Sequence, residues 1–282
     1  MVAMSTETQE ITLVTGAAGK TGRRVAERLE RRGLAVRRAG RGTSPALDWE
    51  APATWAAALE GVRAVYLAYA PDLAVPGAPA TVGAFARQAV AAGVERIVLL
   101  SGRGEPEAEA AEREVAAAGA DWTIVRCSWF MQNFSESFFA EPLREGTLAL
   151  PVDGVREPFV DCDDVADVAV AALTEPGHAG RLHELTGPRL LSFADAVAEI
   201  AAASGRPMRF VPVTAERYAD GMRAAAVPEE VVALTTHLFA EVLDGRNESL
   251  ADGVRAALGR PARDFADYAR AAAAAGAWSA AR

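Results

Sequence analysis

The stretch Val14-Thr-Gly-Ala-Ala-Gly-Lys-Thr-Gly22 decides the fold. Its glycines, Gly16, Gly19 and Gly22, follow the β-rich run Ile11–Thr15. They open a segment from Lys20 to Arg32 that reads as a helix, with Val25 and Leu29 four apart and Gly33 at its end. A strand that turns sharply into a helix needs glycine's freedom in φ. The same glycines let an anion reach the backbone without meeting a Cβ, and the helix N-terminus supplies unpaired N–H groups and a partial positive charge. In that context the Gly-x-x-Gly-x-x-Gly spacing points to a dinucleotide pyrophosphate, held by Gly16, Ala18, Gly19, Lys20, Thr21 and Gly22.

Further strands are expected at residues 34–38, 64–68, 96–100 and 122–126, with helical patterns over 54–60, 81–92 and 107–118 between them. This alternation predicts an α/β fold: a Rossmann-type, doubly wound, mostly parallel sheet covered on both faces. The pattern changes after about residue 128. Residues 130–144 read as one helix carrying four phenylalanines, and 147–150 and 157–160 as a hairpin around Asp153-Gly154. A helix follows at 163–173, a capping box at Ser192–Asp195 and a strand at 209–213. From Ala215 the chain is mostly helical, broken at Pro228, Gly245 and Pro261. The expected division is a disordered 1–10, a nucleotide-binding domain over 11–160 to which 161–190 partly returns, and a smaller, mostly helical substrate lobe over 191–282.

The second strand chooses between NAD and NADP. An acid at its end suits a ribose 2′-hydroxyl, and an arginine suits a 2′-phosphate. Here Val36-Arg37-Arg38-Ala39-Gly40-Arg41 contains no carboxylate, and none occurs before Asp48. Arg41 is the candidate for the phosphate, supported by Arg37 or Arg38 and Lys20, because the guanidinium fork matches phosphate geometry. Asp48 and Trp49 are candidates to flank the adenine. The expected cofactor is therefore NADP(H).

A net charge of −9 argues against duplex nucleic acid and anionic membranes as partners. Lys20 is the only lysine among 29 basic residues, so any chemistry that needs a lysine has one candidate. No apolar run reaches the ~18 residues of a membrane span. Cys127 and Cys162 lack metal-ligand spacing and suit a reduced, cytoplasmic protein. His178, His183 and His237 are expected to lie far apart, with no ligand spacing, and no metal site is expected.

The ordered set of motifs resembles the NmrA-like branch of the atypical short-chain dehydrogenases, a group that includes NAD(P)H azoreductases, quinone reductases and ergot-alkaloid reductases. Besides the glycine loop, the matching residues are Asp48-Trp49, Val65-Tyr-Leu-Ala68, Arg96-Ile-Val-Leu-Leu-Ser-Gly102, Trp122-Thr-Ile-Val-Arg126 and Trp129-Phe-Met-Gln-Asn-Phe134. Phe159-Val-Asp161 with Asp163–Val168, Leu185-Thr-Gly187 and Gly259-Arg-Pro-Ala-Arg-Asp-Phe265 complete the set. The resemblance implies that Ala68, Tyr69 and Ala70 pass near the dinucleotide, that Ser101 faces the nicotinamide, and that 126–130, with Phe130, runs along it.

The resemblance also marks a gap. Typical short-chain dehydrogenases use a Tyr-x-x-x-Lys pair shortly after the position of Ser101. Here Gly102-Arg-Gly-Glu-Pro-Glu-Ala-Glu-Ala-Ala-Glu112 has neither residue, and alignment on Glu112 puts Gly104 and Ala108 at the two positions. Tyr69, Ser101, Trp129, Gln132 and Asn133 are the polar candidates nearest the nicotinamide. Trp129, Phe130, Phe134, Phe138 and Phe139 recur at helical spacing, which suits either a core stripe or a cleft for a flat substrate. Asp161 precedes a helix and reads as an N-cap.

The expected activity is NADPH-dependent hydride transfer to an already activated small aromatic or conjugated molecule, such as a quinone, imine or iminium, in a tailoring step of secondary metabolism. The protein would act as a monomer or homodimer. The alternative is a non-catalytic, NADP(H)-sensing regulator of the NmrA type.

Overall fold

The first half of the chain alternates strand and helix: β1 (Ile11–Thr15), α1 (Lys20–Arg31), β2 (Ala35–Ala39), α2 (Trp55–Leu59), β3 (Val62–Leu67), α3 (Ala78–Ala91), β4 (Arg96–Gly102), α4 (Pro106–Ala116) and β5 (Asp121–Cys127). The structure is a computed structural model and describes residues 10–279. The disordered segment expected ahead of residue 10 lies outside the described residues.

The apolar runs alternate between two cores, as the pleat of a strand requires. Leu13, Val65, Ile97 and Ile124 face one side, where they pack with Trp55, Phe85 and Val115 of α2, α3 and α4. Their neighbours Val14, Tyr66, Val98 and Val125 face the other, where α1 contributes Val25, Ala26 and Leu29. Both faces are covered, so the strands read as continuous apolar runs.

The second half contains α5 (Asn133–Glu136), α6 (Ala140–Arg144), β6 (Thr147–Leu150), β7 (Arg156–Glu157), α7 (Cys162–Thr174), β8 (Arg181–Leu185), β9 (Leu191–Ser192), α8 (Phe193–Ser204) and β10 (Arg209–Pro212). Helices α9 (Ala215–Ala224), α10 (Glu229–His237), α11 (Gly253–Leu258) and α12 (Phe265–Ala274) follow. Helix α7 covers the sheet beside α1, and β8 joins the sheet edge. The sheet order is β2-β1-β3-β4-β5-β8, and every pairing in it is parallel. From β1 the chain goes to β2 on one side, then crosses to β3 on the other. That reversal opens a crevice at the carboxyl ends of β1 and β3.

A third core fills the C-terminal lobe. Phe134, Phe139, Phe159, Phe193, Phe239, Phe265 and Trp278 meet there. Ser192 and Asp195 form the expected capping box of α8, and Asp161 caps α7 by accepting the Asp163 N–H.

Three expectations are corrected. The helix over 130–144 is two short helices separated by Ser137, whose backbone is extended (φ −140°, ψ −169°). The hairpin does not form. Instead β6 pairs in parallel with β10, β7 pairs antiparallel with β9, and Val160 bridges Phe130. Leu148 and Leu150 are buried in the lobe core, and that burial outweighs the local Asp-Gly turn signal. Finally, two of the histidines meet: His178 Nδ1 lies 3.0 Å from His183 Nε2, both rings buried.

Candidate active site

The loop between β1 and α1 is shaped by its glycines. Gly16 has φ +59°, and a Cβ there would come within 3.3 Å of the Ala68 Cβ. A Cβ on Gly22 would run into the carbonyl of Gly16, so the third glycine lets α1 start tight against the loop. The Gly19 N–H donates to Gly16 O at 2.8 Å. Thr15 Oγ1 donates to Ala68 O (3.0 Å) and accepts from Ala68 N–H (2.8 Å), which locks the ends of β1 and β3 together at the crevice.

These residues fit the pyrophosphate of a dinucleotide. No side chain caps α1, its first turn holds no acid, and Ala18 and Gly19 are exposed. The helix N–H groups and their partial positive charge are thus open to an anion. Thr21 is buried in the first turn, and Lys20 is half-buried. Burial pulls the Lys20 ammonium below the ordinary lysine range.

At the end of β2 the arginines separate. Arg37 donates to the carbonyls of Ala58 (2.8 Å) and Glu60 (2.6 Å), and Arg38 grips Glu30 with two bonds of 2.8–2.9 Å. Arg41 is exposed and, among the described residues, makes neither a hydrogen bond nor an ion pair. The Asp48 carboxylate accepts the Glu50 N–H, and its carbonyl accepts the Trp55 indole N–H at 2.8 Å. Trp49 packs on Tyr69 (ring centroids 5.0 Å), Phe85 and Trp55.

Beside this crevice, at the ends of β4 and β5, lies a cavity of about 400 Å³, the size of a small-ligand site. Lys20, Tyr69, Ser101, Trp129, Phe130 and Asn133 all line it, so the structure brings these candidates together. Phe138, Leu234 and Leu238 form an apolar wall. Phe138 is 54% exposed, whereas Phe134 and Phe139 are sealed in the lobe core. The aromatic stripe therefore serves both purposes that its spacing allowed.

Two candidates have their polar groups engaged by other residues. Gln132 is buried outside the cavity lining; its amide donates to Asp161 Oδ1 (2.9 Å) and accepts the Cys162 N–H (2.8 Å), clamping the start of α7. Ser101 reaches the cavity, but its hydroxyl donates to Glu112 Oε1 at 2.6 Å. Glu112 also binds Arg126 through both oxygens. The three residues tie β4, α4 and β5 together. Gly104 (φ +77°) lies against Asn247, whose Nδ2 would be 2.7 Å from a Cβ there, and Ala108 is fully buried.

Sequence reading missed Asp72 and Glu105, two carboxyls in the cavity wall. Glu105 stands four residues after Ser101, inside the segment that lacks the tyrosine, and nothing in the local pattern marks it. Burial, reinforced by Asp72 and then by Glu107 and Glu112, pushes its carboxyl up to about 8. Burial also raises Asp72.

An NAD(P)H-binding family profile matches residues 16–176. An NAD(P)H azoreductase of Xenophilus azovorans is 34% identical over 81% of this chain and 82% of its own length. An agroclavine dehydrogenase of Claviceps fusiformis is 31% identical over 91% of this chain and 95% of its own. Among solved structures, an NADPH-dependent quinone oxidoreductase of Escherichia coli complexed with NADPH superposes with a TM-score of 0.73, at 20% identity, over 92% of this chain and 98% of that one. No helix among the described residues is long and apolar enough to cross a membrane.

Proposed function

Because the chain belongs to the NAD(P)H-binding family, we propose that it is an NADPH-dependent reductase that delivers hydride to an activated, flat small molecule: a quinone, an imine or iminium, or a conjugated carbonyl. The observation that carries this reading is the cavity, whose aromatic and aliphatic wall of Trp129, Phe130, Phe138, Leu234 and Leu238 adjoins the glycine loop through Lys20.

The bound nicotinamide would supply the hydride. Gly16, Gly19 and Gly22 would hold the pyrophosphate, Arg41 the 2′-phosphate, and Trp49 would flank the adenosine half. Tyr69, Ser101 and Asn133 would border the acceptor, and the apolar wall would stack on it and exclude water. An activated acceptor asks for orientation more than for acid chemistry, and enclosure supplies orientation. The named relatives include an azoreductase and a dehydrogenase, which supports catalysis over the cofactor-sensing alternative. The buried thiols suit a cytoplasmic setting, with the protein acting as a monomer or homodimer in a tailoring step of secondary metabolism.

The test is NADPH oxidation against a panel of quinones, iminium ions and enones. Turnover of at least one class is expected. Cofactor-loaded protein that reduces no member of the panel would overturn the reading.

A further inference from the structure

We propose that the carboxylic acid of Glu105, set over the end of β4 beside Asp72, gives the proton that reduction of a neutral acceptor requires. This rests on the reductase reading above.

The placement is specific. A Cβ on Gly102 would collide with the carboxyl carbon and both oxygens of Glu105, so the carboxyl lies directly against the strand end one residue past Ser101. It stands at the N-cap position of α4 yet does not cap the helix. Among the described residues its carboxyl has no hydrogen bond or ion pair, while its backbone carbonyl accepts the Glu109 N–H. Asp72, on the connection between β3 and α3, lines the same cavity, and its Oδ1 accepts the Ala74 N–H at 2.9 Å.

The groups that act electrically on Glu105 are acids: Asp72 from that connection, and Glu107 and Glu112 from α4. The nearby cations are engaged elsewhere. Arg103 binds Glu184 (2.7 Å) and the carbonyls of Asn247 and Ser249 (2.8 Å each), and Arg126 binds Glu112. Lys20 lines the cavity, but burial lowers its own affinity for a proton. A carboxyl in such surroundings stays neutral at pH 7, because like charge and desolvation both oppose its ionisation. Its value of about 8 is the range that acid catalysis near neutrality uses.

The chemistry balances. A quinone or enone accepts hydride from the bound cofactor and gains two electrons, leaving negative charge on its oxygen. The Glu105 O–H bond breaks, an O–H bond forms on the acceptor, and Glu105 is left as carboxylate. Solvent reprotonates it through the cavity mouth. An iminium becomes neutral on hydride addition alone and needs no proton from the protein. Glu105 is thus the catalytic acid for neutral acceptors, and Asp72 is a positioning residue that keeps it protonated.

Two measurements test this. In cofactor-free protein, ¹³C NMR of the glutamate carboxyls should show two titrating near pH 8, one from Glu157 and one that is absent in E105Q and shifted to lower pH in D72N. In steady state, E105Q should lose on the order of 100-fold in kcat/KM with a quinone, and less than about threefold with a preformed iminium. The wild-type quinone rate should fall above about pH 8. A Glu105 that titrates in the ordinary carboxylate range, or an equal loss with both acceptors, overturns the proposal and leaves the reductase reading intact. Wild-type protein that reduces neither acceptor removes both.

Discussion

Among the described residues, Arg41 differs from Arg37 and Arg38 in having nothing to hold. Its neighbours are bound to backbone carbonyls of the α2 region and to Glu30, so they are ill placed to turn toward a phosphate. A hydrogen bond to a charged group contributes about 1.5–3 kcal/mol, or roughly 10- to 150-fold in affinity. Arg41→Ser should therefore weaken NADPH binding by at least about tenfold and leave NADH binding nearly unchanged, as read by fluorescence titration. Equal losses for both cofactors would remove Arg41 from the 2′-phosphate. The missing acid after β2 was legible in the sequence because it depends on a few consecutive residues after a strand. Which of the three arginines stays free was not, since that depends on Glu30 and on carbonyls 21 and 23 residues beyond Arg37.

At the scale of an element, the segment from Trp129 to Arg144 shows tertiary packing overruling periodicity. In one continuous helix Phe134 and Phe138 would share a face, about 40° apart, and Phe139 would point about 140° away. The break at Ser137 turns Phe139 inward to meet Phe134 (ring centroids 5.6 Å) and leaves Phe138 on the cavity wall. The Trp278 indole donates to Phe134 O at 2.8 Å and Tyr268 donates to Ser135 at 2.8 Å, pinning the short turn of α5 to the lobe core. Gln132, at the head of this segment, holds the N-terminus of α7 through both ends of its amide. Gln132→Leu leaves a buried carboxylate and a buried N–H short of partners, which costs about 1–3 kcal/mol each. The urea midpoint should drop accordingly. Unchanged stability with a large loss of turnover would return Gln132 to the active site. Polarity beside an aromatic run suggested a catalytic role for Gln132, but its partners lie 29 and 30 residues further along the chain.

At the scale of the whole molecule, Glu157 is a carboxyl that folding strips of water. It is fully buried in β7, and among the described residues neither carboxyl oxygen has a hydrogen-bond partner. Burial pushes it up to about 8, with Arg103 opposing the shift and Glu248 adding to it. The folded protein therefore keeps a proton that the unfolded chain releases near 4.5, so stability falls as pH rises from about 4.5 to about 8. Within that window each pH step costs about 1.4 kcal/mol. Glu105 is shifted the same way, so Glu157→Gln should reduce this slope without abolishing it, read as denaturation midpoints at pH 5.5 and pH 8.5, and a slope identical to wild type would show that Glu157 does not titrate there. Glycine spacing and strand alternation determined the parallel sheet and the tight glycine loop between β1 and α1, because each is set by short-range backbone sterics or side-chain period. Tertiary structure alone decided the cavity. Its wall draws on Tyr69 and Asp72, Ser101 and Glu105, Trp129 to Phe138, and Leu234 to Leu238, which meet only when the strand ends line up and the C-terminal lobe folds across them. A carboxyl's burial and its neighbours' charge, which make Glu105 an acid, are properties of that assembled space and have no counterpart in the order of residues.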